Sequence, residues 1–266
     1  MKKLPPWLQI QIPQKGFFNT TKLLKEFNLP TVCESAKCPN RAECFAKKRA
    51  TFLALGNHCT RNCRFCSIPH QKKPPLPDKE EPEKIAELTE LLKLKHVVIT
   101  QVTRDDLPDQ GALHMAKIIK AVKRKNPETK VEVLTSDFSA KKNLLDLVLK
   151  EKPFIFNHNL ETVERLSSSI RSVAQYKTSL NVLSHAKTHG SSFIKSGFMV
   201  GLGETDNEVK KTLKDLFQIG IDIVTIGQYL QPSPKQIEVQ SFVTPEKFNE
   251  YKEYGKSIGI KKVFSG

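Results

Sequence analysis

From residue 50 onward, short apolar runs alternate with amphipathic stretches at a nearly even spacing. The run ATFLALG at 50–56 predicts a buried strand, and the acid-led stretch at 82–93 predicts a helix. HVVITQV at 96–102 is the next strand, helix 112–125 precedes strand KVEVLT at 130–135, and helix 140–150 precedes strand FIFNHN at 154–159. Helical segments cover 160–168 and 174–189. Strand FIKSGFMVGLG at 193–203, helix 206–218, strand DIVTIGQY at 222–229 and helix 245–258 complete the pattern, followed by KKVFSG.

Strict strand–helix alternation calls for a parallel sheet with right-handed crossovers. Six such units in about 210 residues predict an α/β fold of barrel type, open or closed, with a doubly wound sheet as the alternative. In either, the working end is the C-terminal edge of the strands, where loops and helix N-termini gather.

The segment before this repeat is different in kind. A Pro-rich start gives way to helical character at 20–28, closed by Pro30, and then to the cysteine-bearing stretch CESAKCPNRAEC. Pro39 inside that stretch predicts a loop with at most short helical turns. The expected division is an extension at 1–49 and a barrel domain at 50–266.

At 266 residues the chain buries a core without disulfide help. Prolines and glutamines break the apolar character of the first 14 residues, so no signal peptide is expected, and no later run is long enough to cross a membrane. A cytoplasmic location is the expectation. The formal net charge of +15 comes from lysines spread along the chain, without a basic tail or basic–aromatic interleaving. This describes a solvated lysine-rich surface or steering toward an acidic partner, and neither nucleic acid nor membrane is expected as a partner.

All six cysteines lie within residues 33–66. Cys33, Cys38 and Cys44 form C-x4-C-x5-C; Cys59, Cys63 and Cys66 form C-x3-C-x2-C directly after the first strand of the repeat. Structural zinc normally closes with four protein ligands, whereas three thiolates on a short loop anchor three irons of a [4Fe–4S] cluster and leave the fourth open. A C-x3-C-x2-C at this place is the signature of radical S-adenosylmethionine (SAM) enzymes, in which the open iron takes the amino and carboxylate groups of SAM. Phe65, between Cys63 and Cys66, also fits that pattern or is a plain core residue.

Other candidates sit at strand ends. Gly201, Gly203 and Glu204 in SGFMVGLGET serve either a tight turn or close approach to a cofactor. Asn157, His158, Asn159 and Glu161 in NHNLET suit ribose hydroxyls, with helix capping by Asn159 as the alternative. Arg104, Asp105, Asp106 and Asp109 crowd the loop after the second strand, and their role stays open. Arg171, with Tyr176 nearby, is placed to pair a cofactor carboxylate through two parallel hydrogen bonds. His58 and the other histidines show no ligand spacing.

The order of CESAKCPNRAEC, ATFLALGNHCTRNCRFC, VTRDDL, FNHNLETV, KSGFMVGLGET and IGQYLQPS resembles that of lipoyl synthases over roughly residues 30–265. The resemblance implies a partial (β/α)6 barrel of radical SAM type with two [4Fe–4S] clusters. Cys59, Cys63 and Cys66 would hold the catalytic cluster and Cys33, Cys38 and Cys44 the auxiliary one. It further implies SAM as cofactor, sulfur insertion at carbons 6 and 8 of an octanoyl group, an octanoylated lipoyl carrier domain as substrate, and an electron donor such as flavodoxin or ferredoxin.

The chain departs from that family in places. Gln110 stands where a glycine is usual, IRSVAQY lacks the usual proline and QPSPKQIEV a customary histidine. The family's arginine-serine-serine segment, whose serine ligates the auxiliary cluster, would begin only after Phe264-Ser265-Gly266, so no ligand role falls on Ser265. The expectation is a lipoyl synthase with impaired complete turnover. The alternatives are another sulfur-inserting radical enzyme and an iron–sulfur scaffold.

Overall fold

Seven strands form one all-parallel sheet whose spatial order, β1 through β7, is their order in the chain. The computed structural model describes residues 3–9, 17–35, 41–46, 51–190 and 193–266. β1 (Thr51–Ala54) pairs with β2 (His96–Gln101), followed by β3 (Lys130–Leu134), β4 (Ile155–Asn157), β5 (Phe193–Val200), β6 (Ile223–Gln228) and β7 (Lys262–Ser265). A doubly wound sheet must reverse direction at a switch point, and this order never reverses. Winding in one sense makes the sheet curl like a barrel wall, and β1 and β7 remain separate edges among the described residues.

Before the sheet lie α1 (Phe17–Glu26) and two short helices, α2 (Val32–Ser35) and α3 (Arg41–Ala46). The crossovers are α4 (Glu81–Leu91), α5 (Ala112–Lys125), α6 (Lys142–Leu149), the pair α7 (Glu164–Ile170) and α8 (Tyr176–His189), α9 (Asp206–Ile219) and α10 (Pro245–Ser257). On α5, Met115, Ile118, Ile119 and Val122 recur at helical spacing and are fully buried. They and their counterparts cover Val97, Ile99, Val131, Val133, Phe156, Ile194 and Val224 of the sheet. Each such side chain contributes about 1.5–3 kcal/mol through burial.

The alternate strand positions turn to the opposite, concave face. There the register aligns Thr100, Leu134, Asn157 and Lys195 across four strands. Glu132, buried on the same face, accepts from Lys195 Nζ at 2.8 Å and faces His96 Nε2 at 3.1 Å. Burial opposes its charge, but the His96 and Lys195 contacts outweigh that and hold the carboxyl below its ordinary range.

Most boundaries shift by a few residues, and three differences bear on the strand edge. KKVFSG is not a tail: residues 262–265 add β7 beside β6. β5 stops at Val200, because Gly201 and Gly203 take φ of +93° and +104° and turn the chain toward α9. The helix expected at 160–168 begins at Glu164, since Leu160 and Glu161 still hydrogen-bond Gly197 beside β5.

Candidate functional site

The chain leaves β1 through Leu55 and Gly56, with φ of +70° and +93°. Glycine adopts this conformation readily, whereas Leu55 is held there: its N–H donates to the buried Glu81 carboxylate at 2.9 Å and its carbonyl accepts from Arg104. The loop that follows carries Cys59, Cys63 and Cys66 at the C-terminal edge of the sheet and is fastened to four neighbours. Cys59 N–H donates to Pro69 O, Thr60 N–H to Thr103 O after β2, and Arg64 N–H to Ile170 O at the end of α7. Arg64 O accepts from Ile237 N–H beyond β6.

Arg61 is the strongest of these anchors. Its guanidinium donates to Asp105 at 2.8 and 2.9 Å and to Asp137 at 2.7 and 2.8 Å, joining the cysteine loop to the loops after β2 and β3. Burial disfavours the Asp137 charge, yet the Arg61 hydrogen bonds and charge hold its carboxyl at about 2.

Cys59, Cys63 and Cys66 are in no disulfide. Burial pushes the Cys63 thiol up and the Cys66 thiol up to about 12, where the neighbouring sulfurs add to the effect. Each sulfur has a hydrogen-bond partner: Arg61 N–H at 3.4 Å from Cys59 Sγ, Ile68 N–H at 3.5 Å from Cys66 Sγ and Ser172 Oγ at 3.9 Å from Cys63 Sγ. Among the described residues no three of His, Cys, Asp or Glu gather closely enough for one metal ion. A four-iron cube takes its thiolates on three different irons and does not need them around one point. Crowded soft sulfurs, costly to ionise without a positive partner, fit such a cluster.

These cysteines line a cavity of about 170 Å³ with Phe65, Asn159, Glu161 and Arg171. Glu161 has φ of +65°, a conformation costly for a residue with a side chain, and its backbone is held there by hydrogen bonds to Gly197 and Met199. Burial pushes its carboxyl up, while the Arg171 charge and the Asn159 amide pull it down. Arg171 is buried and donates through Nη1 to Leu160 O at 3.2 Å and to Ser179 Oγ at 2.8 Å. Asn159 and Glu161 also line a second cavity of about 430 Å³ with Gly197, Met199, Gly227 and Phe264. The two residues therefore line both cavities.

Other predicted residues lie elsewhere. Gly201, Gly203 and Glu204 do not line the cysteine cavity: the Glu204 carboxylate accepts from the N–H groups of Gly201 and Leu202 at 2.6 and 2.9 Å. Asn157 faces Glu132 on the concave face, and Tyr176 donates to Asp215. Arg104 pairs with Asp106, and Asp109 accepts from two N–H groups at the start of α5. His58 lines a separate cavity beside α1. Of the first triplet, Cys33 is buried in α2, Cys44 lies in α3, and Cys38 falls outside the described residues. Arg61, Asp137, Ser172 and Ser179 were not predicted; Arg61, inside the cysteine motif, and Ser172, next to Arg171, were adjacent to residues the sequence singled out.

The Radical SAM superfamily matches residues 53–216 of the chain. Methylornithine synthase (PylB) is similar in structure with a TM-score of 0.57 and 14% identity, over 96% of this chain and 83% of that one. Streptococcus suis SuiB bound to S-adenosylmethionine gives 0.63 and 11%, over 80% and 49%. At these identities the likeness concerns the fold. Fold and superfamily match together define a radical SAM protein, a class that works with SAM and a [4Fe–4S] cluster. Lipoyl synthase of Chlorobium phaeobacteroides is 49% identical, covering 100% of this chain and 93% of its own. That of Caldicellulosiruptor saccharolyticus is 51% identical, covering 99% and 93%. The chain belongs to the lipoyl synthase family.

Proposed function

We propose that this chain performs the lipoyl synthase reaction, inserting sulfur at carbons 6 and 8 of an octanoyl group carried by a lipoyl domain. The observation that carries the reading is the place of Cys59, Cys63 and Cys66, at the strand edge and around one cavity with Glu161 and Arg171, in a chain half-identical to lipoyl synthases. In this reading those three cysteines hold one [4Fe–4S] cluster. When bound, the cluster and SAM supply a 5′-deoxyadenosyl radical for hydrogen abstraction, and an auxiliary cluster supplies sulfur.

The chain's own residues do the positioning. Arg171 pairs the carboxylate of SAM, Asn159 and Glu161, which line both cavities, take ribose hydroxyls, and Gly201, Gly203 and Glu204 shape the strand edge beside them. Phe65 packs with Ile170, Leu202, Tyr229 and Val239 and closes one side of the cavity to water. Residues 1–49 act as an extension carrying Cys33, Cys38 and Cys44 for the auxiliary cluster, on a barrel domain at 50–266. The extension has a firm seat: Leu24, Leu29 and Cys33 join the main core, and Leu53 N–H donates to Pro30 O.

The partners are an octanoylated lipoyl domain and a low-potential electron donor such as flavodoxin or ferredoxin, in a reducing cytoplasm. The net charge of +15 favours encounter with an acidic carrier, an effect that weakens as salt is raised. No helix among the described residues is long and apolar enough to cross a membrane. Anaerobic reconstitution followed by iron and sulfide counting tests the two-cluster assignment. About eight irons per chain are expected, falling to about four when Cys33, Cys38 and Cys44 are replaced by alanine. Zinc in place of iron overturns it.

A further inference from the structure

Ser179 on α8 lies outside the lining of the cysteine cavity, yet its buried hydroxyl touches two groups that belong to it. Arg171 Nη1 donates to Ser179 Oγ at 2.8 Å, and Ser179 Oγ lies 2.9 Å from His158 Nε2. The other ring nitrogen, Nδ1, lies 3.0 Å from Thr135 O. A carbonyl only accepts, so the His158 proton sits on Nδ1, and Nε2 is left as an acceptor. The Ser179 hydrogen therefore goes to Nε2, which leaves its oxygen to receive the Arg171 hydrogen. Every hydrogen in the row then has its acceptor.

Both hydrogens of Arg171 Nη1 are thereby used, one on Ser179 and one on Leu160 O at 3.2 Å. Because the guanidinium is planar, fixing that nitrogen fixes the whole group. A neutral His158 is part of the arrangement, since a proton on Nε2 would compete for the same hydroxyl oxygen beside a buried arginine. Burial, together with the Arg171 charge, keeps the ring neutral.

We propose that Ser179 and His158 are positioning residues for Arg171, holding its guanidinium so that its remaining edge receives the carboxylate of an amino-acid-type cofactor in the cysteine cavity. This rests on the reading of Arg171 as the carboxylate contact. Ser179 does not itself line the cavity, so in this arrangement its effect on the cofactor runs through Arg171, which makes the coupling measurable.

The test is equilibrium binding of SAM to the iron-reconstituted full chain. Arg171→Met raises Kd, Ser179→Ala raises it roughly tenfold, and Ser179→Thr, which keeps the hydroxyl, restores it. In the Arg171→Met background, Ser179→Ala adds nothing further, with iron content unchanged throughout. If Ser179→Ala weakens binding equally in both backgrounds, or leaves Kd unchanged while Arg171→Met raises it, the positioning role is overturned. If Arg171→Met itself leaves Kd unchanged, the carboxylate reading is wrong and the positioning role falls with it.

Discussion

Arg61 and Asp137 meet in a two-pronged ion pair, Nη1 to Oδ2 at 2.7 Å and Nη2 to Oδ1 at 2.8 Å, with both side chains buried. The pair joins the middle of the cysteine motif to the loop after β3. Asp137→Ala leaves part of a buried guanidinium without its partner, and a loss of about 3 kcal/mol is expected. Iron retained per chain should fall as well, because the loop loses an anchor. Denaturant unfolding and iron counting check this, and a variant matching the native protein in both would contradict the anchoring role.

The same pair sets part of the acid response. The Asp137 carboxyl is held at about 2 against an ordinary 3.8, so its contribution is complete above about pH 4 and disappears as pH falls through 2. His158 acts at milder pH: its imidazole is held at about 4 against an ordinary 6.5. Between those values the unfolded chain binds the proton more readily, so stability declines from about pH 6.5 and levels off below 4, by about 3 kcal/mol in all. His158→Gln should flatten the profile in the upper window and Asp137→Asn in the lower. Urea unfolding at stepped pH separates them, and an unchanged slope between pH 6.5 and 4 in His158→Gln would count against a neutral buried ring.

Ser172 differs from the other sulfur partners because it brings a side-chain hydroxyl to Cys63 Sγ, at 3.9 Å. A hydrogen bond to a thiolate ligand favours the reduced, more negative cluster and raises its potential. Ser172→Ala is therefore expected to lower the midpoint of the cluster proposed for Cys59, Cys63 and Cys66. Ser172→Thr should keep it. Potentiometric titration followed by electron paramagnetic resonance, with Cys33, Cys38 and Cys44 replaced by alanine, reads this directly; equal midpoints would show that the hydroxyl has no influence.

Gly201 has φ of +93°, and a Cβ there would strike the Gln228 amide and the Ser241 carbonyl. Backbone cannot step aside as a flexible side chain does, so Gly201→Ala should cost about 1–3 kcal/mol and displace the 240–241 segment. Thermal unfolding measures the loss. No change in stability would mean that this contact yields more easily than its geometry implies.

The alternation of apolar strands and amphipathic helices carried most of the fold, because parallel strands covered by helices leave a strong pattern in sequence. β7 escaped: KVFS is short, opens on Lys262 and follows Lys261, so only pairing with β6 identifies it. The cysteine spacing was legible for a related reason, since three thiolates crowded on one short loop leave a compact pattern in the sequence. The partners of that loop and of Arg171 were not. Asp137, Ser172 and Ser179 lie 76, 109 and 8 residues from the groups they bind, and a single hydroxyl or carboxylate in a loop or helix leaves no periodic trace. Gly201 and Gly203 left a clear trace with two meanings, and their φ values account for the turn.

In the function proposed above, Cys59, Cys63 and Cys66 hold the cluster that works with SAM. The direct measurement is 5′-deoxyadenosine formed anaerobically from SAM by the reconstituted chain, supplied with a low-potential reductant and an octanoylated lipoyl domain. Formation is expected to depend on the octanoylated domain and to be lost in Cys63→Ala. Iron-loaded native chain that forms none, or Cys63→Ala that forms as much as the native chain, would contradict it.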